Sequence, residues 1–152
     1  MHQITQEAID EIAEIIARVA PLPLKDAAWA LDKGMHRLDT LEGRPTAGQV
    51  RRFRAMTPEQ QSQYMRDERE HADDGPMFGY LKRSHPDADD ADIKRAIMEA
   101  VRFQDDCSKF LQWGGDYWDC IVKAVAQSAR KHPGFLDTTY RAAENYLAYL
   151  WK

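Results

Sequence analysis

The residue pattern with the most chemical content lies in the middle of the chain, at Glu68-Arg69-Glu70-His71. A Glu-x-x-His on a helix brings a carboxylate and an imidazole to one face, the spacing that di-iron bundles use to hold a metal. Tyr64 joins that face at i, i+4 and i+7 with Glu68 and His71. Such bundles carry the motif twice and add carboxylates from other helices. Here it occurs once, and Glu99, Asp105 and Asp106 have no histidine at the right offset. Glu68 and His71 are therefore an alternative metal site, that of a metal-dependent helical-bundle enzyme, beside the simpler expectation of a solvated helix face.

A second cluster is basic. Arg51, Arg52 and Arg54 surround Phe53, with Arg44 just upstream. Such a patch can hold phosphates or meet an acidic protein surface. Asp67, Glu68 and Glu70 follow closely, and the chain carries 25 Asp+Glu against 21 Lys+Arg, net −4. That balance disfavours a general nucleic-acid binder, which leaves nucleic-acid binding as an alternative and a protein partner as the leading expectation.

A third cluster is aromatic. Trp113-Gly-Gly-Asp-Tyr-Trp-Asp119 places indoles beside glycines, where a ligand or another backbone could approach closely; the competing expectation is a tight helix crossing with Trp118 in the core. The chain's last stretch, 146–152, is apolar almost to its end, and predicts either docking on the core or an interface with another chain, including a second copy through the last helix. Arg, Tyr and Trp dominate binding hot spots, so Arg51, Arg52, Arg54, Tyr149 and Trp151 are the candidate partner contacts.

Nucleotide loops, HExxH, G-x-S-x-G and EF-hand patterns do not occur. The reading leans against an enzyme and assigns no cofactor. Cys107 and Cys120 are too few for a disulfide scaffold and form no CxxC pair. With an acidic N-terminal stretch and no apolar run near 18 residues, the expectation is a cytoplasmic protein with reduced thiols and no membrane span.

The elements that must position these groups are helical. Ile9, Ile12, Ile16 and Val19 make a stripe predicting a helix over 5–20, ended by Pro21 and Pro23. Ala27, Ala28, Leu31, Met35 and Leu38 predict a single helix over 24–41. Thr46 caps a short third, and Thr57-Pro58-Glu59-Gln60 is a capping box opening a fourth that reaches about residue 72. One short turn is expected at 77–83.

From Asp89 a strong stripe begins, holding Ile93, Ile97, Val101, Phe103 and Cys107. Gly114-Gly115-Asp116 then favours a turn, although the apolar phase runs on through Trp118, Ile121 and Val125. Asp137 or Thr138 should cap the last helix. Nothing alternates with period two, so no strand is predicted. The expected architecture for 1–152 is all-α: one domain, an irregular bundle of six or seven helices.

Overall fold

The computed structural model describes residues 4–43, 54–63 and 76–151, with His36 described by its backbone alone. Among these residues the fold is all helical. The order is α1 Gln6–Val19, α2 Leu24–Lys33, α3 Met35–Leu41, α4 Pro76–Ser84, α5 Asp90–Lys109, α6 Tyr117–Lys131 and α7 Asp137–Leu150, with a helical stretch at 58–63 between α3 and α4. The expected third helix and the rest of the fourth, including Tyr64, Glu68 and His71, lie outside the described residues, as do Arg51 and Arg52.

The caps show why several of these helices start where they do. Thr5 Oγ1 accepts the Ala8 N–H at 3.1 Å, opening α1. At Thr57 the capping box is reciprocal: Thr57 Oγ1 accepts from Gln60 N at 3.2 Å, and Gln60 Oε1 accepts from Thr57 N at 3.0 Å. The single helix expected over 24–41 is instead two. Gly34 ends α2, its N–H donating to the carbonyls of Ala30 and Leu31. Glycine is a poor helix former, and here the α2 hydrogen-bond ladder closes before α3 restarts.

α5 is the spine. It packs against α2, α4, α6 and α7, while α1 lies across α2, α3 and α4. Ile93, Ile97, Val101, Phe103 and Cys107 face inward from α5, as their spacing predicts. They meet Ala27, Ala28 and Leu31 of α2, Ile121 and Val125 of α6, and Ala143 and Leu147 of α7 in one core. The α1 stripe is corrected by one residue: Ala8 is buried and Ile9 is exposed. Position 8 keeps the 3.6-residue phase with Ile12, Ile16 and Val19.

Polar bonds cross between helices where the core would otherwise strand a donor. Ser128 of α6 is buried and donates its hydroxyl to the Phe103 carbonyl of α5 at 2.8 Å. Trp29 Nε1 donates to Gln104 Oε1 at 2.9 Å. At the surface Arg37 of α3 pairs with Glu11 of α1 at 2.8 Å, and Lys82 of α4 pairs with Asp90 of α5 at 3.0 Å. No helix among the described residues is long and apolar enough to cross a membrane.

Candidate functional site

Two groupings of side chains stand out from this core. The first is aromatic and open to solvent; the second is polar and half-buried.

The aromatic grouping begins at the α5–α6 turn, where the favoured reading of the glycine pair holds. α5 stops at Lys109, and Gly115 takes φ +77°, a backbone conformation that strongly favours glycine. Asp116 then caps α6, its Oδ1 accepting from Asp119 N at 3.0 Å. The Cys120 thiol donates to the Gly114 carbonyl at 3.2 Å and closes the turn. This geometry turns Trp113 back over the first residue of α6, so its indole stacks on the Tyr117 ring, 5.2 Å between centroids and 12° between planes.

Tyr117 in turn reaches the end of α7. Its hydroxyl lies 3.0 Å from the Ala148 carbonyl and 3.3 Å from that of Trp151. Carbonyls in the last turn of a helix lack partners inside the helix, so this phenol serves as a side-chain cap for α7. Trp151 then meets Trp113 edge-on at 6.4 Å. The three rings form one contiguous group, yet Trp113 is 51% exposed and Trp151 48%. Trp118, Tyr149 and Leu150 stand exposed on the same two helix ends. Of the large apolar residues exposed elsewhere among the described residues, only Ile4, Ile9 and Leu136 remain, singly placed.

The expectation that Trp118 packs in the core is therefore corrected. The apolar phase continues through it, but the inward positions of α6 are Cys120, Ile121, Ala124, Val125 and Ser128. The apolar chain end divides between the two expectations. Leu147 is fully buried and Tyr146 packs on Trp29 at 6.3 Å, while Tyr149 is 63% exposed and stacks outward on Tyr146.

Of the candidate contacts, Tyr149 and Trp151 are thus brought to one end of the molecule. Arg54 is exposed, on a segment remote in sequence from that end. The sequence marks the Trp113–Asp119 segment, but the candidate contacts it offers do not include Trp113 and Tyr117. The glycine pair beside the indoles was the available signal, because a turn there must expose at least one of them.

The polar grouping surrounds Asp106 of α5. His132 Nε2 lies 2.7 Å from Asp106 Oδ2, and Lys131 Nζ 3.1 Å from the same oxygen. Burial pushes this carboxyl up, but the hydrogen bonds from His132 and Lys131 and their charges outweigh it and hold it below the ordinary carboxylate range. The His132 carbonyl accepts from the Tyr140 hydroxyl at 2.8 Å, and the same phenol oxygen accepts from Phe135 N at 3.2 Å. Lys25 Nζ donates to the Pro133 carbonyl at 2.8 Å.

These bonds tie Asp106 of α5 to Lys131 and His132 at the end of α6, and His132 to Tyr140 of α7, so the cluster acts as a clasp on the α6–α7 connection. A carboxyl depressed in the folded state stabilises the fold above its unfolded titration, and that contribution is lost as pH falls through the folded value. The acid limb of a stability–pH profile should accordingly flatten in Asp106→Asn below the ordinary carboxylate range. Parallel acid limbs in wild type and variant would contradict the clasp.

The two cysteines are separate free thiols, both buried, and burial pushes that of Cys107 up to about 12. His85 is likewise engaged: Nε2 lies 2.8 Å from the Leu22 carbonyl and Nδ1 2.7 Å from Ser84 Oγ. Among the described residues no three His, Cys, Asp or Glu side chains converge as a metal site would require. Compared with protein-family models, curated proteins and solved structures, the chain has no significant match.

Proposed function

We propose that this chain is a non-enzymatic helical binding protein that acts by engaging another protein through its aromatic end. The observation that supports this is the contiguous group of Trp113, Tyr117 and Trp151, exposed but locked by stacking and by the Tyr117 hydroxyl on α7. Leaving indoles in water forgoes the stabilisation of burying them, and a pre-ordered ring loses little further freedom on binding. Tyr and Trp in such positions dominate the energetics of protein interfaces. Tyr149 extends the surface, and the arginines at 51, 52 and 54 are a second set of contacts. The reading takes the chain as a cytoplasmic protein with reduced thiols.

Hot-spot truncations cost about 2 kcal/mol or more, roughly thirty-fold in affinity. Trp113→Ala combined with Trp151→Ala should therefore release partners that the wild-type chain retains from its own cells, with the circular dichroism of the helices unchanged. Retention of the same partners by the folded double variant would overturn the assignment of this surface. Truncating Arg51 and Arg54 together should weaken the same capture; unchanged retention removes those arginines from the interface.

A further inference from the structure

We infer that the aromatic end takes arginine side chains from an extended segment of the partner. This rests on the protein-binding reading above and adds the chemistry of what is bound. Asp116 and Asp119 stand exposed on either side of Tyr117 and Trp118. Asp116 Oδ1 accepts the Asp119 N–H, and among the described residues neither carboxylate has an ion-pair partner. Lys123, one helical turn beyond Asp119, makes no ion pair with it.

Exposed rings and two exposed carboxylates gathered around the start of α6 suit one kind of side chain above others, because a segment crossing this end can stack on the rings and pair with the carboxylates in turn. A guanidinium is planar, stacks flat on indole and phenol rings, and pairs with a carboxylate through parallel N–H bonds. A lysine ammonium can meet the charge but cannot stack as a plane. The indole N–H groups of Trp113, Trp118 and Trp151 have no acceptor among the described residues, and an extended backbone offers carbonyls in a row.

Charge complementarity also decides against the other occupants. A nucleic-acid strand could stack its bases here but would press phosphates against Asp116 and Asp119. A second copy of this chain docked face to face would bring four like charges together. An apolar partner would cover both carboxylates without pairing them.

The test is calorimetric titration of the full chain with a synthetic peptide of alternating arginine and glycine, against the same peptide with lysine for arginine. The arginine peptide is expected to bind about ten-fold tighter than the lysine peptide. Asp116→Asn with Asp119→Asn should lower arginine-peptide affinity about three- to ten-fold, as expected from removing two exposed ion pairs. Asparagine caps a helix as well as aspartate does, so α6 keeps its first turn. Glu7→Gln with Glu14→Gln makes the same charge change on α1 and should leave binding unaltered.

Equal affinity for the two peptides, no binding of the arginine peptide, or equal losses from the α1 control would each overturn the inference. If the arginine peptide fails while the Trp113/Trp151 double variant still sheds a partner, arginine recognition falls and the protein-binding reading stands. If sedimentation finds the chain pairing with itself through Trp113 and Trp151, a second copy is the occupant and arginine recognition falls. Because the peptide comparison runs on wild-type protein, it does not depend on any variant folding.

Discussion

Replacing Phe103 by alanine is expected to cost about 3–5 kcal/mol of stability, the range seen when a buried aromatic ring is deleted. Phe103 is fully buried near the C-terminal end of α5. Its ring lies 5.0 Å from Phe135, 5.4 Å from Tyr140 and 6.4 Å from His132. Truncation removes the transfer free energy of the ring and leaves a cavity bordered by Tyr140 and His132, whose hydrogen bonds resist collapse inward. Tyr140 is held by its bonds to His132 and Phe135, and His132 by Asp106. The bond from the Ser128 hydroxyl to the Phe103 carbonyl involves only the backbone of residue 103 and survives the change, so the loss reports packing. Urea unfolding checks this, with the midpoint falling and the slope unchanged. The melting temperature should drop by roughly 6–20 °C for a chain of this size. A loss under about 1 kcal/mol would mean that the surrounding rings re-close the space.

The second large effect is expected at Asp26. This α2 carboxylate is only 1% exposed. Its Oδ1 accepts from Leu136 N at 2.8 Å and from Thr139 Oγ1 at 2.6 Å, across the bundle at the start of α7. α7 has no cap of its own, because neither Asp137 nor Thr138 fills that role and the residue in the cap position is Leu136. Asp26 therefore caps α7 from another helix, its Oδ1 accepting from donors at the start of that helix. Asp26→Ala strands a backbone N–H and a buried hydroxyl together, at about 2–3 kcal/mol. Amide exchange at 136–139 should accelerate more than exchange in α5. Thr139→Val removes one donor and should cost about 1 kcal/mol. If α7 exchanges as slowly in Asp26→Ala as in wild type, the distant cap contributes nothing.

These two residues also mark how far the sequence could be read. Phe103 announces itself by phase with Ile93, Ile97 and Val101, and the capping box at Thr57 lies within four consecutive residues. Local spacing carries that kind of information. Asp26 carries no local sign of its task, since its partners lie 110 and 113 residues further on. The same holds for Asp106 and His132, which look like two more scattered polar residues until α5 and α6 lie side by side. Trp118 fails for a different reason. Hydrophobicity alone places it in the α6 stripe, and only the packing of α5 and α7 decides that the inward face runs from Cys120 to Ser128. At Gly34 the apolar stripe ran through Met35 and Leu38 unbroken, so periodicity concealed the backbone break.

The placement of the four tryptophans has an optical consequence. Trp29 is buried against Tyr146, whereas Trp113, Trp118 and Trp151 all stand at the α6–α7 end. Emission from the intact molecule is expected to divide between three solvent-touched indoles at that end and one interior indole. Iodide reaches the first population and not the second, so quenching resolves the two without any label. A spectral change confined to the quenchable fraction reports events at the exposed indoles, and one confined to the protected fraction reports loosening around Trp29.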